Sequence, residues 1–157
     1  MSTRRRAREI VLQMLYEDDL NPEQDPKVAD NFLVRRLNGN RPLVRFAREI
    51  YANVLKNRES IDRSISSLAQ NWSLRRMAAI DRNVLRLGTY EILQTETPGR
   101  VVINEAVELA KRYGDKNSGQ FVNGILDRVL NAKSESDSPA DSQAGDAEGA
   151  DQVAEVS

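Results

Sequence analysis

Four arginines, Arg4, Arg5, Arg6 and Arg8, stand at the start of a helix that we predict to begin near Thr3. Cations at a helix N-terminus oppose the helix dipole, so each of them destabilises the helix slightly. Something other than helix stability should therefore favour them, and a polyanion would do so through guanidinium–phosphate contacts. A basic helix end that is merely solvated explains the same residues, and this segment alone does not decide between the two interpretations.

Apolar and aromatic side chains accompany both basic regions of the chain. Leu12 and Tyr16 are predicted to lie on the exposed side of the first helix, beside its arginines, as in a partner surface. A second, smaller cluster consists of a polar loop and the partly exposed aromatic residue that follows it: Lys116, Asn117, Ser118 and Phe121. Because aromatic rings stack on unpaired bases and cations hold phosphates, both clusters suit single-stranded RNA.

Composition argues against catalysis. The chain has no Cys and no His, which removes disulfides, thiolate metal sites and the commonest general base. No phosphate loop, dinucleotide fingerprint, zinc motif or nucleophile elbow is found. We therefore expect no enzyme activity, no metal and no cofactor. The pairs Asn104-Glu105 and Asn123-Gly124 are open to two interpretations, backbone bridging or contact with a partner.

The net charge of -1 hides an uneven distribution. Residues 132–157 hold one Lys and seven acids, so residues 1–131 carry a net charge of +5. The acidic segment lacks aromatic residues and cannot bury enough apolar surface to order itself. We predict one basic domain over residues 1–131 and a disordered acidic tail over residues 132–157. No apolar run reaches the length of a membrane span or forms a signal peptide, and we expect a cytoplasmic protein.

Helical periodicity and stop signals predict seven helices and no strands. The first buries one face, and Asn21-Pro22 ends it. Asp25-Pro26 opens the second, Arg41-Pro42 the third and Asn57-Arg58 the fourth. The predicted core faces of the first and second helices are Ala7, Ile10, Val11, Met14 and Leu15, and Val28, Ala29, Phe32, Leu33 and Leu37.

The later helices are organised around Ile80–Leu93, which is apolar over much of its circumference and is predicted to be central. Its Gly88 would let another helix approach closely. In the fourth helix Trp72 follows Ile61, Ile65 and Leu68 at helical spacing and is therefore predicted to be core. The sixth helix is predicted from about Val101 to Tyr113, and the seventh buries Val122, Ile125, Leu126, Val129 and Leu130.

Three segments together resemble the NusB family of transcription antitermination factors. They are RRRAREIVLQMLYE (Arg4–Glu17), IDRNVLRLGTYEIL (Ile80–Leu93), and Val101–Asp127 with its INEAVELAK and FVNG-LD signatures. The resemblance implies an all-α fold of two small three-helix bundles. It also implies that the chain pairs with NusE, a small-subunit ribosomal protein, and binds single-stranded boxA RNA. With NusA, NusG and RNA polymerase, such a complex supports processive transcription of ribosomal RNA operons.

The resemblance also assigns residues to these contacts. It places RNA at Arg4, Arg5, Arg6, Arg8 and Tyr16, and at a second region formed by Lys116, Asn117, Ser118 and Phe121. It places NusE at the following set, in which Arg75 stands at a position that is often acidic in relatives: Leu12, Tyr16, Arg75, Asp81, Arg82 and Arg86.

Three other interpretations remain open at this point. A helix-turn-helix DNA regulator would need a recognition helix with exposed base-reading side chains, whereas the seventh helix is mostly core. The same helical module occurs as an accessory domain of some rRNA methyltransferases, although no catalytic domain follows here. A helical scaffold without RNA binding is the third. A homodimer of the free protein is also left open.

Overall fold

A computed structural model describes residues 3–70 and 72–136 of the chain. Over these residues it contains seven α-helices, one short 3-10 turn and no strand. The helices are α1 (Arg4–Leu20), α2 (Pro26–Arg36), α3 (Arg41–Lys56), α4 (Arg58–Leu68), α5 (Ala79–Gln94), α6 (Gly99–Tyr113) and α7 (Ser118–Ser136), with the 3-10 turn at Leu74–Arg76. The predicted all-α fold is confirmed. None of the described helices is long and apolar enough to cross a membrane.

Local sequence signals set the helix starts. The Thr3 hydroxyl accepts a hydrogen bond from the Arg6 N–H at 3.2 Å, as an N-cap does. The Asp25 carboxylate accepts one from the Lys27 N–H at 2.9 Å, with a proline in the first turn. Both caps confirm the predicted starts of α1 and α2. The second helix then stops at a left-handed turn, where Gly39 has a φ of 66°.

The central position predicted for the fifth helix is also confirmed. Helices α1, α2 and α3 pack on one another as a first bundle, and α5, α6 and α7 as a second. Helix α5 also contacts α1, α3 and α4, so it joins the two bundles. At Gly88 an added Cβ would lie 2.7 Å from a methyl carbon of Leu126 on α7. The glycine therefore permits the close approach of α5 and α7 that its position predicted.

Two predicted core residues are exposed instead. Helix α4 ends at Leu68, so the helical spacing that places Trp72 in line with the α4 core no longer applies, and Trp72 is 52% exposed. Val28 is also 52% exposed, since α2 packs mainly against α1 and α3 and buries just Ala29 and Leu33. Both core predictions are wrong.

The last helix runs further than the predicted domain boundary. Helix α7 continues to Ser136, so residues 132–136 are helical although disorder was predicted there. The ammonium group of Lys133 donates a hydrogen bond to the Ile92 carbonyl oxygen at 2.7 Å, which attaches this last part of α7 to the end of α5. The remainder of the predicted acidic tail, residues 137–157, lies outside the described residues.

Candidate nucleic-acid interface

The first turn of α1 presents an exposed guanidinium on an aromatic support. The Arg4 side chain is exposed, and its Cζ lies 4.4 Å from the ring centroid of Phe46 on α3. This is within the range of a cation–π contact, which restrains the side chain while leaving its N–H donors to face a ligand. The arrangement can therefore hold a phosphate at the start of α1.

Arg5 is exposed as well, but it is positioned by an ion pair with α6. Its Nε and Nη2 donate to the two carboxylate oxygens of Glu105 at 3.0 and 2.9 Å, and the Arg5 side chain remains 58% exposed. The hydrogen bond from Arg5 lowers the pKa of Glu105, against the opposing effect of burial. Glu105 is thus a positioning residue for Arg5.

Arg6 shares the buried carboxylate of Glu9 with Arg112, which no pattern in the sequence marks as functional. Glu9 is 8% exposed and accepts from Arg6 Nη1 at 3.1 Å and from Arg112 Nη1 at 2.8 Å. The Arg112 side chain, in the last turn of α6, is 66% exposed. No local pattern reveals this contact, because it joins α1 to α6 across most of the chain. Arg112 lies just before the loop that carries Lys116, so it links the two predicted basic clusters.

Arg8 does not belong to the exposed set. Its Nε and Nη2 each donate to a carboxylate oxygen of Glu91 at 2.7 Å, and the two side chains are 6% and 2% exposed. The predicted position of Arg8 on the exposed side of α1 is therefore wrong, and its burial and its pairing with Glu91 argue against a contact with phosphate. The reason is tertiary: α5 covers this side of α1 and supplies Glu91.

Leu12 is likewise buried, at 2% exposure, although it was predicted to be exposed. It lies at the wall of a cleft of about 380 Å³ whose other residues come from α1, α2, α5 and α6: Arg6, Glu9, Gln13, Tyr16, Arg36, Ile80 and Tyr113. Tyr16 is half-buried at this cleft and remains accessible. A partner that enters the cleft would meet Tyr16 before Leu12.

The second predicted cluster, at the loop between α6 and α7, also contains both accessible and buried residues. Lys116 and Asn117 are exposed, and Phe121 is half-buried, as predicted. Ser118 is only 1% exposed; its hydroxyl accepts from the Asp115 N–H at 3.0 Å and lies 3.3 Å from the Asp115 carboxylate. Ser118 therefore shapes the loop between α6 and α7, and its burial argues against its predicted contact with RNA.

Two of the six residues assigned to NusE, Arg82 and Arg86, form ion pairs within the protein. Arg82 Nη2 lies 2.7 Å from Asp19, and Arg86 contacts both Asp19, at 3.3 Å, and Asp62, at 2.8 Å. Burial of Asp19 opposes its ionisation, but hydrogen bonds from Arg82 and Asn83 and the charge of Arg86 outweigh it, so the pKa of Asp19 is lowered. This network ties the end of α1 to α4 and α5.

Accessibility decides which members of that set can meet a partner. Arg86 is 7% and Asp81 8% exposed, so neither offers much surface, and this burial argues against their predicted contact with NusE. Arg82 keeps 18% of its side chain exposed. Arg75, on the 3-10 turn, is exposed and can meet a partner.

Comparison with known proteins gives a consistent result. The chain matches the model of the NusB family over residues 5–131. It is 45% identical to the transcription antitermination protein NusB of Desulfitobacterium hafniense over 142 residues, which is 86% of this chain and 93% of that protein. It is 44% identical to the protein of the same name from Anaeromyxobacter dehalogenans over 128 residues, 82% of this chain and 90% of that protein.

Solved structures agree. NusB of T. maritima superposes with a TM-score of 0.74 at 40% identity, covering 83% of this chain and 93% of that chain. A crystal structure of the antitermination factors NusB and NusE in complex with double-stranded RNA contains a chain that superposes with a TM-score of 0.73 at 31% identity, covering 82% and 96%.

Proposed function

This chain belongs to the NusB family of transcription antitermination factors, and we propose that it acts by binding boxA-type nascent RNA together with NusE. In this proposal the chain is a binding protein of the cytoplasm without catalytic activity. NusA, NusG and RNA polymerase complete the larger complex, which supports processive transcription of ribosomal RNA operons. A homodimer of the free protein, if it forms, would compete with these contacts.

One observation carries the RNA part of the proposal. The first turn of α1 keeps Arg4 and Arg5 at the surface, where they oppose the helix dipole, and the fold adds Arg112 and Lys116 from the end of α6 and the loop after it. These four cations come from two segments that are distant along the chain, and all four are exposed. The two segments are joined by Glu9 of α1, which binds Arg112 of α6. Such a surface is suited to tracking a phosphate backbone.

Within the proposed interface each accessible residue has a defined task. The accessible cations and the neighbouring amide contact phosphates: Arg4, Arg5, Arg6, Arg112, Lys116 and Asn117. The aromatic residues Tyr16 and Phe121 contact bases. NusE is proposed to contact Tyr16, Arg75 and the outward part of Arg82. Because each set is small, the affinity for either ligand alone should be modest, and the two ligands together should bind more tightly through a composite surface.

The test is fluorescence anisotropy of a labelled boxA RNA and a scrambled RNA of the same length, with and without NusE, at two salt concentrations. We expect preferential binding of boxA that NusE strengthens. A duplex RNA and a duplex DNA serve as competitors, because a DNA regulator would be displaced by DNA as readily as by RNA. Equal, salt-sensitive binding of boxA and scrambled RNA would reduce the basic surface to a general polyanion site.

A matched pair of variants locates the site. Arg5→Ala removes an exposed arginine that is paired with a carboxylate on another helix. Arg48→Ala removes an arginine with 53% side-chain exposure that pairs with Asp30 at 2.7 Å in the same bidentate way, but on α3. We expect Arg5→Ala to weaken boxA binding and Arg48→Ala to leave it unchanged. If the wild type and both variants bind NusE but none of them binds RNA, the result would instead support the scaffold function.

A further inference from the structure

Trp72 has no role in the proposed interface, yet it is exposed and lies against Phe121, which does have one. Trp72, the only Trp of the chain, is 52% exposed. Its ring meets that of Phe121 edge to face, with the centroids 6.0 Å apart and the planes at 76°. Because the two planes are nearly perpendicular, the rings do not stack face to face, and at least one face of each ring is not covered by the other. A large aromatic side chain that is half open to solvent, with a second aromatic ring beside it, is typical of a binding site.

The pair lines a cleft of about 240 Å³ between α7 and the segment that follows α4. This volume is below the roughly 300–1,000 Å³ of pockets for whole small-molecule ligands, so the cleft suits one planar group. Gly124 forms part of its wall, and an added Cβ there would meet nothing within 4 Å. The absent side chain therefore leaves open space next to Phe121.

The charge and polarity of the cleft restrict the ligand. Gln70 and Gln120 place exposed amides at its rim, and Arg128 places an exposed guanidinium there. Arg128 Nη1 donates to the Leu68 carbonyl oxygen at 2.9 Å, which positions the guanidinium while its remaining donors stay available. No carboxylate is among the described residues that line the cleft. This environment disfavours a cationic group and suits a neutral planar group attached to an anion.

We propose that Trp72 and Phe121 form a stacking subsite for a single unpaired nucleobase of the bound RNA, with Arg128 on the adjoining phosphate and Gln70 and Gln120 at the edge of the base. The inference rests on the proposed RNA-binding function and extends it from Phe121 to a subsite completed by the segment after α4. A base within a duplex already has both faces stacked, so the subsite selects unpaired bases. Discrimination between single-stranded and double-stranded RNA should therefore arise here.

The single Trp supplies its own assay. Stacking of a base on the indole should quench its emission, while fluorescence anisotropy of a labelled RNA reports binding to any part of the protein. We expect single-stranded boxA RNA to quench the emission with the same midpoint as the anisotropy change. Blunt-ended duplex RNA and inorganic polyphosphate should leave the emission unchanged. RNA binding by anisotropy without quenching would overturn the subsite and leave the proposed function intact, whereas absence of RNA binding would refute the proposed function.

Variants separate the subsite from the basic surface. Gly124→Leu fills the open wall of the cleft and keeps the reporter; we expect it to abolish the quenching and weaken single-stranded RNA binding roughly tenfold. Trp72→Ala should weaken binding by roughly five- to 150-fold, the range measured for loss of one stacked base, and Trp72→Phe should restore most of it. Val28→Ala, which truncates an equally exposed apolar side chain on α2, is the matched control and should bind as the wild type does.

Three further outcomes would overturn the proposal. The first is equal quenching by duplex and single-stranded RNA, which would show that no unpaired base is required. The second is quenching by NusE in the absence of RNA, which would assign the aromatic pair to the protein partner. The third is unchanged affinity of both Gly124→Leu and Trp72→Ala with thermal unfolding like that of the wild type, which would show that the cleft is empty in the complex.

Discussion

The buried pair of Arg8 and Glu91 offers a quantitative test of the assignment of Arg8 to the core. Two hydrogen bonds of 2.7 Å join the guanidinium to the carboxylate, and both side chains are almost inaccessible to water. Hydrogen bonds to charged groups contribute about 1.5–3 kcal/mol each to stability. Removing one partner also leaves the other charge buried and unpaired, and such losses amount to about 3–5 kcal/mol.

We therefore expect Arg8→Met and Glu91→Leu each to lower the free energy of unfolding by about 3–5 kcal/mol. Since domains of this size are stable by about 5–15 kcal/mol, either change should lower the melting temperature by roughly 10–20 °C. The double variant replaces the pair by apolar side chains, and exchange of a buried ion pair for well-packed apolar groups is often neutral or stabilising. It should thus be more stable than either single variant.

The measurement is urea unfolding of the wild type, both single variants and the double variant, followed by helical circular dichroism. The four free energies give the coupling between the two residues, which we expect to be about 3 kcal/mol or more. Additivity of the two single effects within about 0.5 kcal/mol would refute the reasoning. The folded double variant should also bind boxA RNA as the wild type does; loss of RNA binding with retained fold would show that Arg8 contacts RNA.

Three further predictions follow from named contacts. Gly88→Ala should destabilise the protein by about 1–3 kcal/mol, because the added Cβ would lie 2.7 Å from a leucine methyl carbon of α7. Gly124→Ala should stabilise it by up to about 1 kcal/mol, because the added Cβ would meet nothing within 4 Å and alanine favours a helix more than glycine does. Changes of the same sign for the two variants in urea unfolding would contradict this. Burial opposes the ionisation of Asp19, but its arginine and asparagine neighbours outweigh that effect and lower the pKa of Asp19 in the folded state. The ionised Asp19 therefore stabilises the fold above the ordinary pKa of 3.8, and this stabilisation is lost as the pH falls through the lower pKa of the folded state. Asp19→Asn should therefore flatten the dependence of stability on pH in that acidic range, and an unchanged profile in pH-dependent urea titrations would exclude this role. Arg4→Ala should reduce the slope of log affinity for single-stranded RNA against log salt by about 0.7 without changing the free energy of unfolding; an unchanged slope would remove Arg4 from the phosphate contacts.

Local signals in the sequence were sufficient to predict the helices and to recognise the family. Caps at Thr3 and Asp25 and the apolar repeats depend on residues within one or two turns, so they can be identified without knowledge of the rest of the chain. The central position of Ile80–Leu93 followed from its wide apolar circumference, and the close approach at Gly88 from the missing side chain. The three family segments were recognised from residue order alone, and the match over residues 5–131 confirmed them.

The sequence could not determine which polar and aromatic side chains remain accessible. Periodicity shows that α1 has a core face, but only the packing of α2, α3 and α5 around α1 decided that Arg8 and Leu12 are covered while Arg4 and Arg5 are exposed. Exposure depends on contacts between segments that are distant along the chain, as between Arg8 and Glu91. The same physical reason holds for Trp72, since its exposure depends on where α4 ends and on the position of α7 beside it. The sequence by itself determined the elements and the family, and tertiary packing alone decided which of the predicted contact residues can meet a ligand.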